Sequence, residues 1–338
     1  MSVSRCIALF LLACVPFGTW LSAASPKVTT KKGGRVVNPA NALEKVNDTS
    51  NPTNLTPGAA GVQVLRAQIL MDRAHFSPGE IDGRFGPDME IAVKGYQERH
   101  NLKVTGNVDA PMWELLNADT HDLLTNYRIL PIDLRYPLVT IPKEVEEQAK
   151  LKRMGFQTDE ERMSEKFHLA PKLLTDLNPG KKFDKAGEEI LVPSVQRDVA
   201  GRAAKVVVSK SKRTVTALAA NGHVLGQYPA TIGGPHDPLP IGSWKITVVQ
   251  PNPVFYYNPE RFWNAKQDSP KAQLPPGPNN PAGVVWIGLS KPHYGIHGSP
   301  EPGTVRRTQS YGCIRLTNWD AADLAKMVRQ GTPAILEE

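Results

Sequence analysis

Apolar side chains recur along this chain in three rhythms. Between residues 59 and 118 the rhythm is helical, with Val62, Leu65, Ile69 and Leu70 at three- and four-residue steps as far as Ala74-His75. A turn at Phe76-Ser77-Pro78-Gly79 and the compact run Ile81-Asp82-Gly83-Arg84-Phe85-Gly86-Pro87 follow. Asp88 is placed to cap a second helix whose stripe is Met89, Ala92, Val93 and Tyr96. Asp109-Ala110-Pro111 opens a third helix that buries Trp113 and Leu116. Three short helices in one stretch predict a small bundle, with Tyr96 in its core.

From 119 to 203 the rhythm is broken. Residues 129–133 and 138–142 read as short extended pieces cut by prolines, and 143–154 as a charged helix stopped by Gly155. Thr158, with Glu161 three residues on, has capping-box spacing and opens a helix through Phe167. His168 reads as a helix-end residue, and Lys166 and Lys172 as a solvated face. Leu173, Leu174 and Leu177 continue the helical pattern to Asn178-Pro179-Gly180, and Ile190-Leu191-Val192-Pro193 is a short strand.

From 204 to 338 the rhythm alternates. Val- and Thr-rich runs at 205–209 and 214–218, the turn signal Asn221-Gly222, and runs at 223–228, 242–249 and 284–289 predict a mostly antiparallel β-sandwich or partly open barrel. Only the end is helical, with Asn318 as N-cap, Leu324, Met327 and Val328 as the buried stripe and Gly331 as the stop. The fold class expected is multidomain α+β.

The first 24 residues change the cellular picture. Arg5, an apolar run from Cys6 to Leu21 and the small residues Ser22-Ala23-Ala24 read as a signal peptide cleaved after Ala24, which predicts export to the periplasm or cell envelope. Two other readings of the run are a lipobox at Leu11-Leu12-Ala13-Cys14, giving a lipid anchor at Cys14, and an uncleaved anchor, which needs ~20 apolar residues. Residues 25–58, rich in Lys, Thr, Asn and Pro, read as a flexible tether. The chain has 338 residues, 30 Pro, 27 Gly and a formal charge of +7. No block of five basic residues and no nucleic-acid motif accompanies that charge, so the diffuse excess fits an anionic envelope polymer better than nucleic acid.

Export leaves one cysteine. Cys313 is an unpaired thiol in an oxidising compartment and reads three ways: a buried apolar side chain, an intermolecular disulfide partner or a nucleophile. Its neighbours favour the last. Gly312 lets backbone approach a substrate, Ser310 and Arg315 flank the sulfur, and His297, sixteen residues upstream, is the candidate base with an ordinary value near 6.5. Arg315 is either a surface salt-bridge residue or a bidentate partner for a substrate carboxylate. Arg306 and Arg307 read as a solvated loop face. Tyr256, Trp263 and Trp286 are candidate cleft residues, core packing being the better reading for Trp286. His293 and His297 have a metal-ligand spacing only on a helix, which Pro292 and Gly295 oppose; on a strand they stand ~13 Å apart, so no metal is expected. A papain-like enzyme places its Cys upstream of its His, the reverse of the order here.

The pattern Tyr294-Gly295-Ile296-His297-Gly298, then Ser310-Tyr311-Gly312-Cys313-Ile314-Arg315-Leu316, resembles the signature of the L,D-transpeptidase (YkuD-type) catalytic domain. The similarity takes in Thr231-Ile232-Gly233-Gly234, Pro240-Ile241-Gly242, Asn279-Asn280-Pro281 and Asn318-Trp319-Asp320; Tyr311 stands where many members carry a second His. The stretch 59–118 is similar to three-helix peptidoglycan-binding domains, with Met89 in place of the usual Thr. Within the spacer at 119–203, the segment 158–193 resembles a LysM glycan-binding module that lacks its first strand. The resemblance implies a cysteine-dependent acyltransferase without cofactor. Cys313 would be the nucleophile, His297 the proton donor and acceptor, and Gly298 the group that orients the imidazole. Arg315, Ser310, Tyr311, Gly312 and Tyr294 would contact substrate. It further implies a peptidoglycan tetrapeptide as donor, release of D-Ala, a 3-3 crosslink to an amine acceptor, and acylation by carbapenems. An outer-membrane lipoprotein is a further candidate acceptor. L,D-carboxypeptidase activity and a non-catalytic wall-binding scaffold are the alternatives.

Overall fold

The computed structural model describes residues 36–50, 52–262 and 269–338, so the leader read at 1–24 lies outside the described residues. Two hydrophobic cores organise the chain, one running from Val37 to Val192 and the other from Val206 to Leu336.

The first core joins what the sequence divides. Helix α1 (Pro39–Asn47) lies within the expected tether, its N-cap Asn38 accepting from the Ala40 N–H, and Ala42 and Val46 are fully buried. One apolar pair at i and i+4 is enough to dock this helix, so the tether reading fails from Val36 onward. Helices α2 (Val62–Arg73), α3 (Pro87–Arg99) and α4 (Ala110–Leu116) form the expected bundle, and Tyr96 is buried edge-on to Phe76. Asp109 caps α4, but Asp88 does not cap α3. Gly86 holds that place, Pro87 is the first helical residue, and the Asp88 carboxylate pairs with Arg306 at 2.8 Å. Arg306 is therefore a bridge between modules, not a solvated loop residue. Buried Gln68 pins the compact run after α2, accepting from the Gly83 N–H at 2.7 Å and donating to Asp82 and to the Arg84 carbonyl.

Strand β1 (Leu124–Arg128) pairs antiparallel with β2 (Glu189–Pro193), and α5 (Val145–Ala149), α6 (Asp159–Lys166) and α7 (Pro171–Leu177) lie between them. β1 thus lies in the chain before the segment 158–193 and pairs with the strand that ends it. Residues 129–133 and 138–142 are not strands, because Pro131, Pro137 and Pro142 deny the segment a run of ladder donors. The charged helix contracts to α5, which buries no residue and has no apolar stripe to pack. Thr158 caps α6 by accepting from the Glu161 N–H, and the Glu161 carboxylate returns to the Gln157 N–H, one residue before the cap. His168 adopts φ 56° and turns its ring onto Asp72 at 3.0 Å, while Lys166 reaches Asp133, so neither is merely a helix end or a solvated face. Leu169, Leu174, Ile190 and Val192 share one core with Leu65 and Trp113, which makes this segment half of a core, not a spacer.

The second core lies under one curled sheet. Its strands are β3 (Lys205–Ser209), β4 (Thr214–Leu218), β5 (Val224–Pro229), β6 (Gly242–Pro251), β9 (Val285–Leu289), β10 (Gly295–His297), β11 (Ile314–Arg315) and β12 (Pro333–Glu337), in the order β11-β10-β9-β6-β12-β3-β4-β5. β7 (Phe255–Tyr257) and β8 (Ala272–Leu274) form a separate small ladder. The β10–β11 and β12–β3 pairs are parallel and the rest are antiparallel. The sheet's ends meet where Thr231, just past β5, exchanges two 2.9 Å backbone hydrogen bonds with Arg315 of β11. Of the two expected forms this is the partly open barrel. Helix α8 (Asn318–Met327) buries Leu324 and Met327, and Thr317, not Asn318, caps it by accepting from the Asp320 N–H.

Buried charges join the two cores. Arg197 reaches Asp72 at 2.6 Å and Asp320 and Asp323 at 2.9 Å each. His75 and Tyr228 meet Asp323, Ser77 donates to Asp320, and His168 meets Asp72. Backbone bonds between His75 and Gln227 and between Ser77 and Gln227 run alongside. Burial alone would raise the Asp72 and Asp323 carboxyls. Arg197 and His168 hold the first well below its ordinary range, and His75 and Arg197 hold the second at about 2.

Candidate active site

Two short strands at one end of the sheet carry the candidate chemistry. Ile296 of β10 and Ile314 of β11 face each other in register and are fully buried, so His297 and Arg315, the next residues on each strand, turn to the opposite face. Cys313 is half-buried immediately before β11. Its Sγ lies 3.6 Å from the His293 carbonyl, and the Gly295 N–H is directed at it. Sulfur and imidazole are therefore gathered around one strand, Gly295 and His297 being two steps apart on β10, ~7 Å of chain.

Glycines make the room. A Cβ on Gly295 would stand 2.5 Å from the Trp286 ring, and Trp286, opposite His297 in the β9–β10 register, stacks on the imidazole with centroids 5.5 Å apart. Gly312, at φ 94°, passes under Tyr294, whose ring would be 2.8 Å from an added Cβ. The Ser310 hydroxyl donates to the Cys313 carbonyl and the Ser310 N–H to Ile232, so this side chain braces the turn. The N–H groups of Gly312 and Cys313 donate to no group among the described residues.

The electrostatics set the resting protonation. His297 Nδ1 is 2.7 Å from the Gly298 carbonyl, which can only accept, so Nδ1 carries the hydrogen and Nε2 presents a lone pair. Burial and the nearby Arg315 charge push the imidazole down to about 4, against the opposing pull of the Gly298 bond. Burial pushes the Cys313 thiol up, opposed by the Gly295 N–H and Arg315. At neutral pH the pair rests as thiol and neutral imidazole. A ring near 6.5 holding a standing thiolate does not describe this site, because both groups are taken out of water.

The Arg315 guanidinium makes no side-chain hydrogen bond among the described residues. It lines a cavity of about 280 Å³ with Ser310, Tyr311, His236 and Glu301. Tyr311 is edge-on to Phe262 at 4.8 Å and Phe262 stacks on Tyr257 at 5.3 Å, an aromatic wall beside the site. Tyr256 is 68% exposed and outside that wall; Trp263 lies outside the described residues. The His293 ring meets Arg261 at 3.3 Å. Sequence reasoning missed three things here: Trp286 as the plate behind His297, the pair Tyr257 and Phe262, and Asn318, which packs behind Gly298. Only a tertiary contact reveals each of them.

Fold and site define a class: a curled β-sheet domain with a thiol, an imidazole and a guanidinium at one end, fused to a helical accessory module. Residues 203–336 match the family model of the L,D-transpeptidase catalytic domain, and residues 60–116 that of the peptidoglycan binding domain. The YkuD protein of Bacillus licheniformis is 30% identical over 168 residues, which are 49% of this chain and 86% of that protein. Its Bacillus subtilis counterpart is 31% identical over 167 residues, 49% and 85% of the two chains. A solved L,D-transpeptidase from Xylanimonas cellulosilytica, 13% identical, aligns over 85% of this chain and 98% of that one at a TM-score of 0.38, a likeness too low to add to the assignment. The chain belongs to the YkuD family of L,D-transpeptidases, a family of acyltransferases, and carries a peptidoglycan-binding module.

Proposed function

We propose that this protein is an exported peptidoglycan L,D-transpeptidase that works through a thioester on Cys313. The observation that carries the reading is the free Nε2 of His297 on the strand whose Gly295 N–H touches the sulfur. Nε2 takes the thiol proton as Sγ attacks the amide carbonyl between the third stem residue, a diamino acid, and the terminal D-Ala. The uncommitted N–H groups of Gly312 and Cys313 receive the developing oxyanion. The C–N bond breaks, His297 gives its proton to the leaving D-Ala amine, and the acyl group stays on sulfur. An amine of a neighbouring stem then attacks the thioester, its proton passes through His297 to the departing sulfur, and a 3-3 crosslink remains. Arg315 pairs with a substrate carboxylate. The neutral resting pair makes His297 a general base at the moment of attack. The leader at 1–24 supports a periplasmic location, where the polymer lies.

The test is incubation with a tetrapeptide muropeptide, following free D-Ala and the intact protein mass. The expected result is D-Ala release with a protein-bound acyl group, both abolished in Cys313→Ala. D-Ala release that survives this substitution overturns the reading.

A further inference from the structure

Behind the site, a chain of contacts runs from His297 into the middle module. The Asn318 side chain packs against the backbone of Gly298, whose carbonyl fixes the imidazole. A Cβ on Gly298 would stand 2.2 Å from Asn318 Oδ1, and one on Gly283 2.1 Å from the same atom. Asn318 is 2% exposed and its amide is fully engaged. Oδ1 accepts from the Val284 N–H at 3.1 Å, and Nδ2 donates to the Pro278 carbonyl at 3.1 Å and to Glu165 Oε2 at 2.9 Å. Glu165 belongs to α6, outside the catalytic domain, and no cation pairs with it among the described residues.

We propose that Asn318 and Glu165 are positioning residues for His297: they hold the Gly298 carbonyl in place and so tie the imidazole's tautomer and direction to the middle module. The chemistry fits the order of contacts. An amide is the one uncharged side chain that can accept from Val284 and donate twice, and the last donor needs an acceptor of fixed position. Glu165 supplies it from a helix whose start is anchored by the Thr158 cap. The relay couples the two cores at the catalytic end of α8, as Arg197 couples them one turn further along. Burial, eased by Asn318 and reinforced by Glu161, moves the Glu165 carboxyl up to about 7, in keeping with a hydrogen-bonding role that does not need the charge.

The kinetic arm rests on the transpeptidase reading; a spectroscopic arm does not. In protein labelled with 15N-histidine, the full chain should show one His297 tautomer, with Nδ1 protonated. Asn318→Ala and Glu165→Leu should give mixed tautomers and lower kcat roughly tenfold to a hundredfold, with KM within twofold. Glu165→Gln, which keeps the acceptor, should restore both. An unchanged tautomer and kcat in Asn318→Ala, or a Glu165→Gln protein as impaired as Glu165→Leu, overturns the proposal. Mixed tautomers in a chain whose wild type releases no D-Ala would leave the relay standing and sink the transpeptidase reading.

Discussion

Two clusters of buried polar side chains lie about one turn apart along the first half of α8, and they are used in opposite ways. Around Arg197, three carboxylates, two histidines, a tyrosine and a serine satisfy one another across the junction of the cores. Around His297, the Nε2 lone pair, the Arg315 guanidinium and two backbone N–H groups are left uncommitted although the ring is 5% exposed. Burial costs several kcal/mol per unpaired polar group, so an uncommitted cluster persists only where the rest of the fold holds it open. The difference teaches that burial of titratable groups does not mark a site; burial with bonding capacity left over does.

The sharpest way to break this comparison is to remove each cluster's central group. His297→Gln keeps roughly the side-chain volume but loses the base and the ring stacked on Trp286, and D-Ala release should fall by roughly 10²–10⁴-fold with a smaller loss of stability than Arg197→Met. A fall under tenfold would mean that the uncommitted cluster is not the reactive one. Arg197→Met should do the reverse, leaving three buried carboxylates without their cation at a cost of about 3–5 kcal/mol in urea unfolding. Its activity per folded molecule should stay within a few-fold, because Arg197 touches none of the reacting groups.

The pH dependence of stability sharpens the comparison further. The folded-state values of Asp72 and Asp323 lie below an ordinary 3.8, so their stabilisation is present above that pH and is lost as pH falls through it toward 2. Glu80 and Glu165 run the other way. Burial raises both to about 7 from 4.5, so their contribution is complete below 4.5 and is lost as pH rises through 7. Stability should therefore peak between these limits. Glu165→Gln should melt with wild type at pH 4.5 and be more stable by about 1–3 kcal/mol at pH 8. Equal melting at both pH values would show that the fold does not raise the Glu165 carboxyl.

Local rules made much of this legible. The helical periods of α2, α3 and α4, the Asp109 and Thr158 caps and the spacing from His297 to Cys313 all depend on neighbours in sequence, and each stands where its residues indicate. What stayed hidden depends on partners far along the chain. Val46 reads as part of a polar tether until Arg66 and Leu124 are brought against α1. Asp88 reads as a cap until Arg306 draws it away. At the site the residue types were readable but their protonation was not, since the descent of His297 to about 4 comes from burial that no sequence pattern records.

The smallest expected effect tests the same rule at the surface. Lys150 and Glu147 approach to 2.6 Å, as close as Arg197 and Asp72, yet their side chains are 70% and 53% exposed. Water screens such a pair, and holding two long side chains in register consumes most of what remains. Lys150→Ala should therefore lower the unfolding free energy from urea titration by no more than about 0.5 kcal/mol, several-fold less than Arg197→Met at the same distance. A loss above about 1 kcal/mol would mean that separation, not desolvation, ranks the ion pairs of this protein, and the contrast between its two buried clusters would lose its physical basis.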